Sequence, residues 1–167
     1  MSKIIEDMNH YSNNFIAEQL VSLIGNGSRS KGLSKINSYL SKRADSAEFT
    51  IDDGSGLSHD NRLTASLITD LLVENANNPN QAPELEKSLA ISNRQGTLKK
   101  RTFSPRANVV RGKTGTINRV TGLAGYIQNA QNRKIAFAIL QNDVSNVSTA
   151  RKLEADLIKE FYNLLSN

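Results

Sequence analysis

Residues 109–117 (VVRGKTGTI), 123–127 (LAGYI) and 134–141 (KIAFAILQ) decide the fold. Each is a short run rich in apolar and β-branched residues, closed by polar links such as Asn129-Ala130-Gln131-Asn132, which is the pattern of strands. Three consecutive strands with short links predict an antiparallel meander. Downstream, residues 148–165 place Leu153, Leu157, Phe161, Leu164 and Leu165 on one face and Arg151, Lys152, Glu154 and Lys159 elsewhere, the spacing of an amphipathic helix.

Upstream the period changes to helical. Phe15, Ile16, Leu20, Leu23 and Ile24 predict a helix over 13–24 with Ser12 at its entrance, stopped by Gly25-Asn26-Gly27. Leu33, Ile36 and Leu40 predict a second over 33–41, followed by a β-like run at 48–51 and a turn at Asp52-Asp53-Gly54-Ser55-Gly56. Leu67, Ile68, Leu71 and Leu72 predict a third helix over 64–75, then a polar loop to Gln81 and a short helix over 83–88; the strand period begins after Arg106. The fold class that results is α/β of the α+β type, an antiparallel sheet with flanking helices. Residues 1–167 are expected to form one folding unit, helical over about 12–88 and strand-rich over about 109–141, with a C-terminal helix over about 148–165.

Composition limits the functions. Without cysteine there are no disulfides, Cys-based zinc sites or thiol nucleophiles, and His10 and His59 are not spaced as metal ligands, so no metal or organic cofactor is expected. Glu6 and Asp7 interrupt the N-terminal run that a signal peptide would need, so the chain as written is expected to stay in the cytoplasm. No run approaches the roughly 18 apolar residues of a transmembrane helix. The net charge of +5 is uneven: between Glu86 and Asp143 there are eleven Lys or Arg and no acid, which predicts an electropositive face. That segment has only Phe103, Tyr126 and Phe137 as aromatics, too few among its cations for a stacking surface, so nucleic acid is not an expected partner.

Two short elements carry candidate chemistry. Lys113-Thr114-Gly115-Thr116 lies inside a predicted strand, where Gly115 weakens the strand but lets a ligand backbone approach, Lys113 offers a fixed cation and the threonines offer hydroxyls. Ser12-Asn13-Asn14 opens a helix, a position where such residues commonly cap. Taken singly, each is explained by a solvated strand face or a cap. Ser-Asp-Asn and Lys-Thr-Gly together belong to the signature set of penicillin-binding proteins and class A β-lactamases.

The runs Met8 to Glu18 (MNHYSNNFIAE), Asp53-Gly54-Ser55-Gly56-Leu57-Ser58 with Asn61-Arg62, Gly96-Thr97-Leu98, Arg111 to Thr116 and Leu123 to Ile127 resemble the D-alanyl-D-alanine carboxypeptidase/endopeptidase family, the class C low-molecular-mass penicillin-binding proteins. They recur in the family's order over essentially the whole chain. The resemblance implies part of a penicillin-binding-protein/β-lactamase-like transpeptidase fold. It implies that Ser12 takes part in a proton relay to the leaving amine, that Asn14 holds the substrate amide and that Lys113 binds the terminal carboxylate. Thr114, Gly115 and Thr116 would contact the substrate, and Asp53, Gly54 and Ser55 would form a turn near the cleft. The implied ligands are peptidoglycan stem peptides or β-lactams, and the implied location is periplasmic or otherwise extracytoplasmic.

Serine acyl transfer also needs a nucleophile with its base, which the family takes from a Ser-x-x-Lys element upstream of the Ser-x-Asn. No such element stands before Ser12. The one Ser-x-x-Lys spacing, Ser28-Arg29-Ser30-Lys31, follows the Ser-x-Asn among glycines and is not at the start of an apolar helix that could bury its lysine. The chain is therefore expected to expose a strand edge and an apolar groove, met either by a separate N-terminal polypeptide or by self-association. A non-catalytic module binding peptides or β-lactams, or an inert remnant of a truncated gene, are the alternatives.

Overall fold

The structure, a computed structural model, describes residues 1–45, 48–80, 82–103 and 109–166; Gln81, Arg106 and Asn167 lie outside them. In chain order the elements are α1 (Ser2–Tyr11), α2 (Asn14–Ile24), α3 (Arg29–Leu40), β1 (Phe49–Thr50), β2 (Arg62–Leu63), α4 (Ala65–Ala76), α5 (Ala82–Ser88) and β3 (Ala90–Ile91). A 3-10 turn (Gly96–Leu98), β4 (Val110–Ile117), β5 (Val120–Gln128), β6 (Lys134–Gln141) and α6 (Val147–Ser166) follow. β1 and β2 pair with each other, and the main sheet has the antiparallel order β3-β4-β5-β6. The predicted meander is thus present. β3 is an addition: two residues give no period to read, and they pair only with Arg111 and Gly112 of β4.

Alternation assigns the two faces of the sheet. Val110, Leu123, Ile127, Phe137 and Ile139 point to one side and pack with Ile158, Tyr162 and Leu165 of α6 as the main core. Each such side chain fully buried contributes about 1.5–3 kcal/mol of transfer free energy. The opposite face carries Lys113, Gly115, Gly122, Ala124 and Tyr126, as the register Lys113↔Ala124 and Gly115↔Gly122 requires. It looks toward α4, whose Leu72 carbonyl accepts a hydrogen bond from the Tyr126 hydroxyl at 2.8 Å.

Three expectations need correction. The buried stripe of α6 is Ala150, Glu154, Ile158, Tyr162 and Leu165, while Leu153 and Leu164 are 50% and 72% exposed. The leucine count misplaced the face because Glu154 is inward: it is 1% exposed and pairs with Arg101 at 2.6 Å. The charge of the acid-free segment is neutralised in part, since Arg101 turns to Glu154, Arg119 to Asp143 and Lys134 to Glu86. Finally, α1 precedes the first predicted helix. Met1, Ile4, Ile5 and Met8 recur there at helical spacing, while its buried residues are the polar Asn9 and His10.

Among the described residues no helix is long and apolar enough to cross a membrane.

Candidate active-site cleft

Ser12-Asn13-Asn14 joins two helices, and its three residues do different things. Ser12 ends α1 in the left-handed region (φ 53°, ψ 52°), a conformation uncommon for a residue with a side chain. The cap of α2 falls one residue later than expected: Asn13 Oδ1 accepts from the Ile16 N–H at 3.1 Å. Asn14, the first helical residue, lines the cleft, and its carboxamide makes no hydrogen bond to a described residue. The capping explanation therefore accounts for Asn13 and leaves Ser12 and Asn14 facing open space.

Lys113 meets Ser12 there. Its Nζ donates to Ser12 Oγ at 2.9 Å, across 101 residues of sequence, and to the Thr114 carbonyl at 2.7 Å. An ammonium has three donors, so one remains for a ligand. Burial lowers the Lys113 pKa below its ordinary value, because the surrounding protein disfavours the charged form. Because Ser12 Oγ accepts from Lys113, its own proton is free to point into the cleft.

β3 covers β4 only at Arg111 and Gly112, so the edge from Lys113 to Ile117 has no strand partner among the described residues. A Cβ built on Gly115 would meet nothing within 4 Å. The described residues thus set no packing demand for glycine there, and the open space is on the side where a ligand backbone could lie. Thr116 is exposed at the same edge. Thr114, on the same face of β4 as Thr116, also lines the cleft, and its Oγ1 donates to Thr97 Oγ1 at 2.8 Å. Thr97 belongs to the runs that carry the resemblance, but a lone hydroxyl in a 3-10 turn gives the sequence no signal of its role.

Asp53, Gly54 and Ser55 also border the cleft region, in a different way. The Asp53 carboxylate accepts from the N–H groups of Gly56, Leu57 and Ser58, from Ser55 Oγ and from Asn61 Nδ2, at 2.7 to 3.0 Å. Partial burial opposes its ionisation, but the hydrogen bonds from Asn61, Ser58, Gly56 and Ser55 outweigh it and hold the pKa at about 2. Glu18 of α2 accepts from the Gly54 and Ser55 N–H groups and pairs with Arg29, which fixes the turn on the helix. A Cβ at Gly54 would stand 2.4 Å from Val21 Cγ2, and Gly56 has φ 77°, so both glycines answer to local sterics. Gly54 and Ser55 line the cleft through this packing, while the Asp53 carboxylate is fully engaged in holding the turn.

Between these elements runs a groove of about 590 Å³, with Ser12, Asn14, Lys113 and Gly115 on one wall and Ile68, Leu72, Leu85, Leu89 and Leu140 among its apolar lining. Ser28 and Lys31 are not part of it: Ser28 caps α3 by accepting from the Lys31 N–H, and the Lys31 side chain is exposed.

Comparison with known proteins is consistent across three approaches. Residues 1–160 match the model of the D-Ala-D-Ala carboxypeptidase 3 (S13) family. A D-alanyl-D-alanine carboxypeptidase of Actinomadura sp. (strain R39) is 34% identical over 154 residues, which is 85% of this chain and 28% of that protein. Penicillin-binding protein 4 of Haemophilus influenzae, solved in complex with a β-lactam, superposes with a TM-score of 0.83 at 26% identity, over 96% of this chain and 40% of that one. An extended-spectrum β-lactamase shares the fold at 20% identity, with a TM-score of 0.78 over 99% of this chain and 64% of that one. The chain thus spans well under half the length of the carboxypeptidase and the penicillin-binding protein.

Proposed function

Because the chain belongs to the D-Ala-D-Ala carboxypeptidase 3 (S13) family, we propose that it forms the substrate-binding wall of a serine-type D-Ala-D-Ala carboxypeptidase or endopeptidase acting on peptidoglycan stem peptides outside the cytoplasmic membrane. The observation that carries this is the 2.9 Å bond from Lys113 Nζ to Ser12 Oγ, which brings two distant motif residues to one point beside an open strand edge. The peptide backbone adds to the β4 edge by main-chain hydrogen bonds. Lys113 pairs with the terminal carboxylate, Thr114, Gly115 and Thr116 bound it, and Asn14 holds the amide of the residue before the cut.

In the acyl-transfer step the attacking serine gives its proton to the lysine of its own Ser-x-x-Lys segment, and the carbonyl carbon gains a bond to the serine oxygen and loses its bond to the leaving nitrogen. That nitrogen needs a proton. Lys113, with its pKa lowered by burial, donates through Ser12, whose hydroxyl proton faces the cleft. The nucleophile comes from a Ser-x-x-Lys segment outside residues 1–167, seated in the apolar groove against α4 and the small-residue face of the sheet.

Fluorescent penicillin tests this. Alone, the chain is expected to bind it without covalent labelling. Joined by a polypeptide carrying the family's Ser-x-x-Lys segment, the label should appear on that polypeptide and disappear with Lys113→Ala. Covalent labelling of residues 1–167 alone would overturn the assignment. Reversible binding that persists while the added polypeptide is never acylated would favour a non-catalytic binding module.

A further inference from the structure

The loop from Asn93 to Arg101 is closed and packed from beneath. The Asn93 N–H donates to both the Leu98 and Arg101 carbonyls at 3.0 Å, and Leu98 is fully buried. Gly96, at φ 61°, lies so close to the α1 terminus that a Cβ there would be 2.9 Å from the His10 carbonyl oxygen. Thr97 holds the loop to Thr114. On this fixed frame Arg94, Lys99 and Lys100 are exposed, and none has a carboxylate partner among the described residues. Arg101 behaves otherwise, turning inward to Glu154 and lying over the Phe103 ring at 4.9 Å.

Three like charges on a closed loop repel one another, and no carboxylate among the described residues compensates them. Their position gives them a use. Lys99 is two residues from Thr97, so its Cα lies within about 7 Å of that of Thr97. Thr97 in turn touches the strand that carries Lys113. A ligand backbone on the β4 edge passes Thr114, and an acidic group borne there comes within reach of the loop.

We propose that the Asn93–Arg101 loop is a second anion-binding element beside the cleft, so that the ligand is a peptide with at least one carboxylate besides the one over Lys113. The inference rests on the cleft assigned above and adds the substrate class. Lys99 and Lys100 contribute to selectivity among peptides; they do not touch the reacting atoms.

The test uses this chain and two synthetic peptides ending in D-Ala-D-Ala, identical except that the side-chain carboxylates of one are amides in the other. Binding is measured by calorimetry at low and moderate salt, for the wild type and for Lys99→Gln/Lys100→Gln, with thermal melts confirming that the surface variant folds. The acidic peptide should bind about three- to tenfold more tightly than the amide, given the modest strength of exposed ion pairs. The double variant should erase that preference and leave the amide peptide unchanged. Equal affinity of the two peptides, or a preference that survives in the variant, overturns the loop assignment and leaves the cleft intact. Binding of neither peptide to the wild type overturns both. Lysine-dependent binding of a single-stranded oligonucleotide or of anionic vesicles, with no discrimination between the peptides, also overturns it in favour of a general polyanion surface.

Discussion

The turn at 53–61 and the Ser12–Lys113 corner of the cleft are built from the same kinds of residue. Both are rich in Ser, Asn and Gly, both border one groove, and each holds one strongly placed charge. They differ in where the polar atoms point. The Asp53 carboxylate receives five donors from its own turn, whereas, among the described residues, Lys113 keeps one donor free and Asn14 keeps its carboxamide free. A polar cluster that satisfies itself is a structural device. One that leaves partners open beside an unpaired strand edge is a place for a ligand.

The sharpest way to break this comparison is to exchange the expected losses. Asp53→Ala strips acceptors from three backbone N–H groups, Ser55 and Asn61, and should cost about 2–3 kcal/mol of stability. Chemical denaturation measures it. Lys113→Gln should do the opposite. It removes one charge-assisted bond to the ligand carboxylate, about 1.5–3 kcal/mol or roughly ten- to a hundredfold in affinity for a D-Ala-D-Ala peptide, without lowering the melting temperature, because a desolvated cation is lost with it. If Asp53→Ala abolished binding at unchanged stability, the division would be wrong.

Acid separates the two regions further. The Asp53 pKa falls from 3.8 in the unfolded chain to about 2 in the fold, so its contribution is fully present above about pH 4 and is lost as pH falls through 2. With solvent screening of this partly exposed group, that contribution is about 1–2 kcal/mol. Melts of wild type and Asp53→Asn should therefore converge toward pH 2. For Lys113 the slope has the same sign but another cause and another range: burial penalises its charged form, so it titrates at 10.5 unfolded and lower in the fold, and stability from this group rises with pH between the two values as the penalty is relieved. Carboxylate binding should weaken over that same range as the ammonium loses its proton.

Much of this was legible in the sequence, and the exceptions have physical causes. The three long strands and the bounds of α2 and α4 follow from apolar period, because packing on a sheet face or a core enforces it. Lys113 and Ser12 were legible only through motif and resemblance, since nothing in local pattern says that residues 101 apart will touch. The role of Asn13 was obscured by its neighbours, as any of the three polar residues there could have capped α2. The inner face of α6 was misplaced because it buries a polar group with a specific partner, Glu154 with Arg101, and a hydrophobic pattern is blind to satisfied polar burial. Helix α1, whose Ile4, Ile5 and Met8 do recur at helical spacing, was legible but too short a run to stand out beside the helix that follows.

The smallest effect concerns the backbone of Ser12. Its left-handed conformation costs an L-residue about 1–2 kcal/mol, and strain of this kind collects at functional sites, where the surroundings enforce it. Ser12→Gly removes the steric part and adds some freedom to the unfolded chain, so a net stabilisation of about 0.5–1 kcal/mol is expected. The same change deletes the acceptor of Lys113 Nζ and should weaken peptide binding. Ser12→Ala supplies the control: it loses the hydroxyl but keeps the strain, so it should weaken binding without the gain in stability. Gly56 gives the contrast from the self-satisfied turn, because at φ 77° its replacement by alanine can only destabilise. Stability that rose with Ser12→Ala as much as with Ser12→Gly would show that the left-handed backbone is not where the cost of this corner lies.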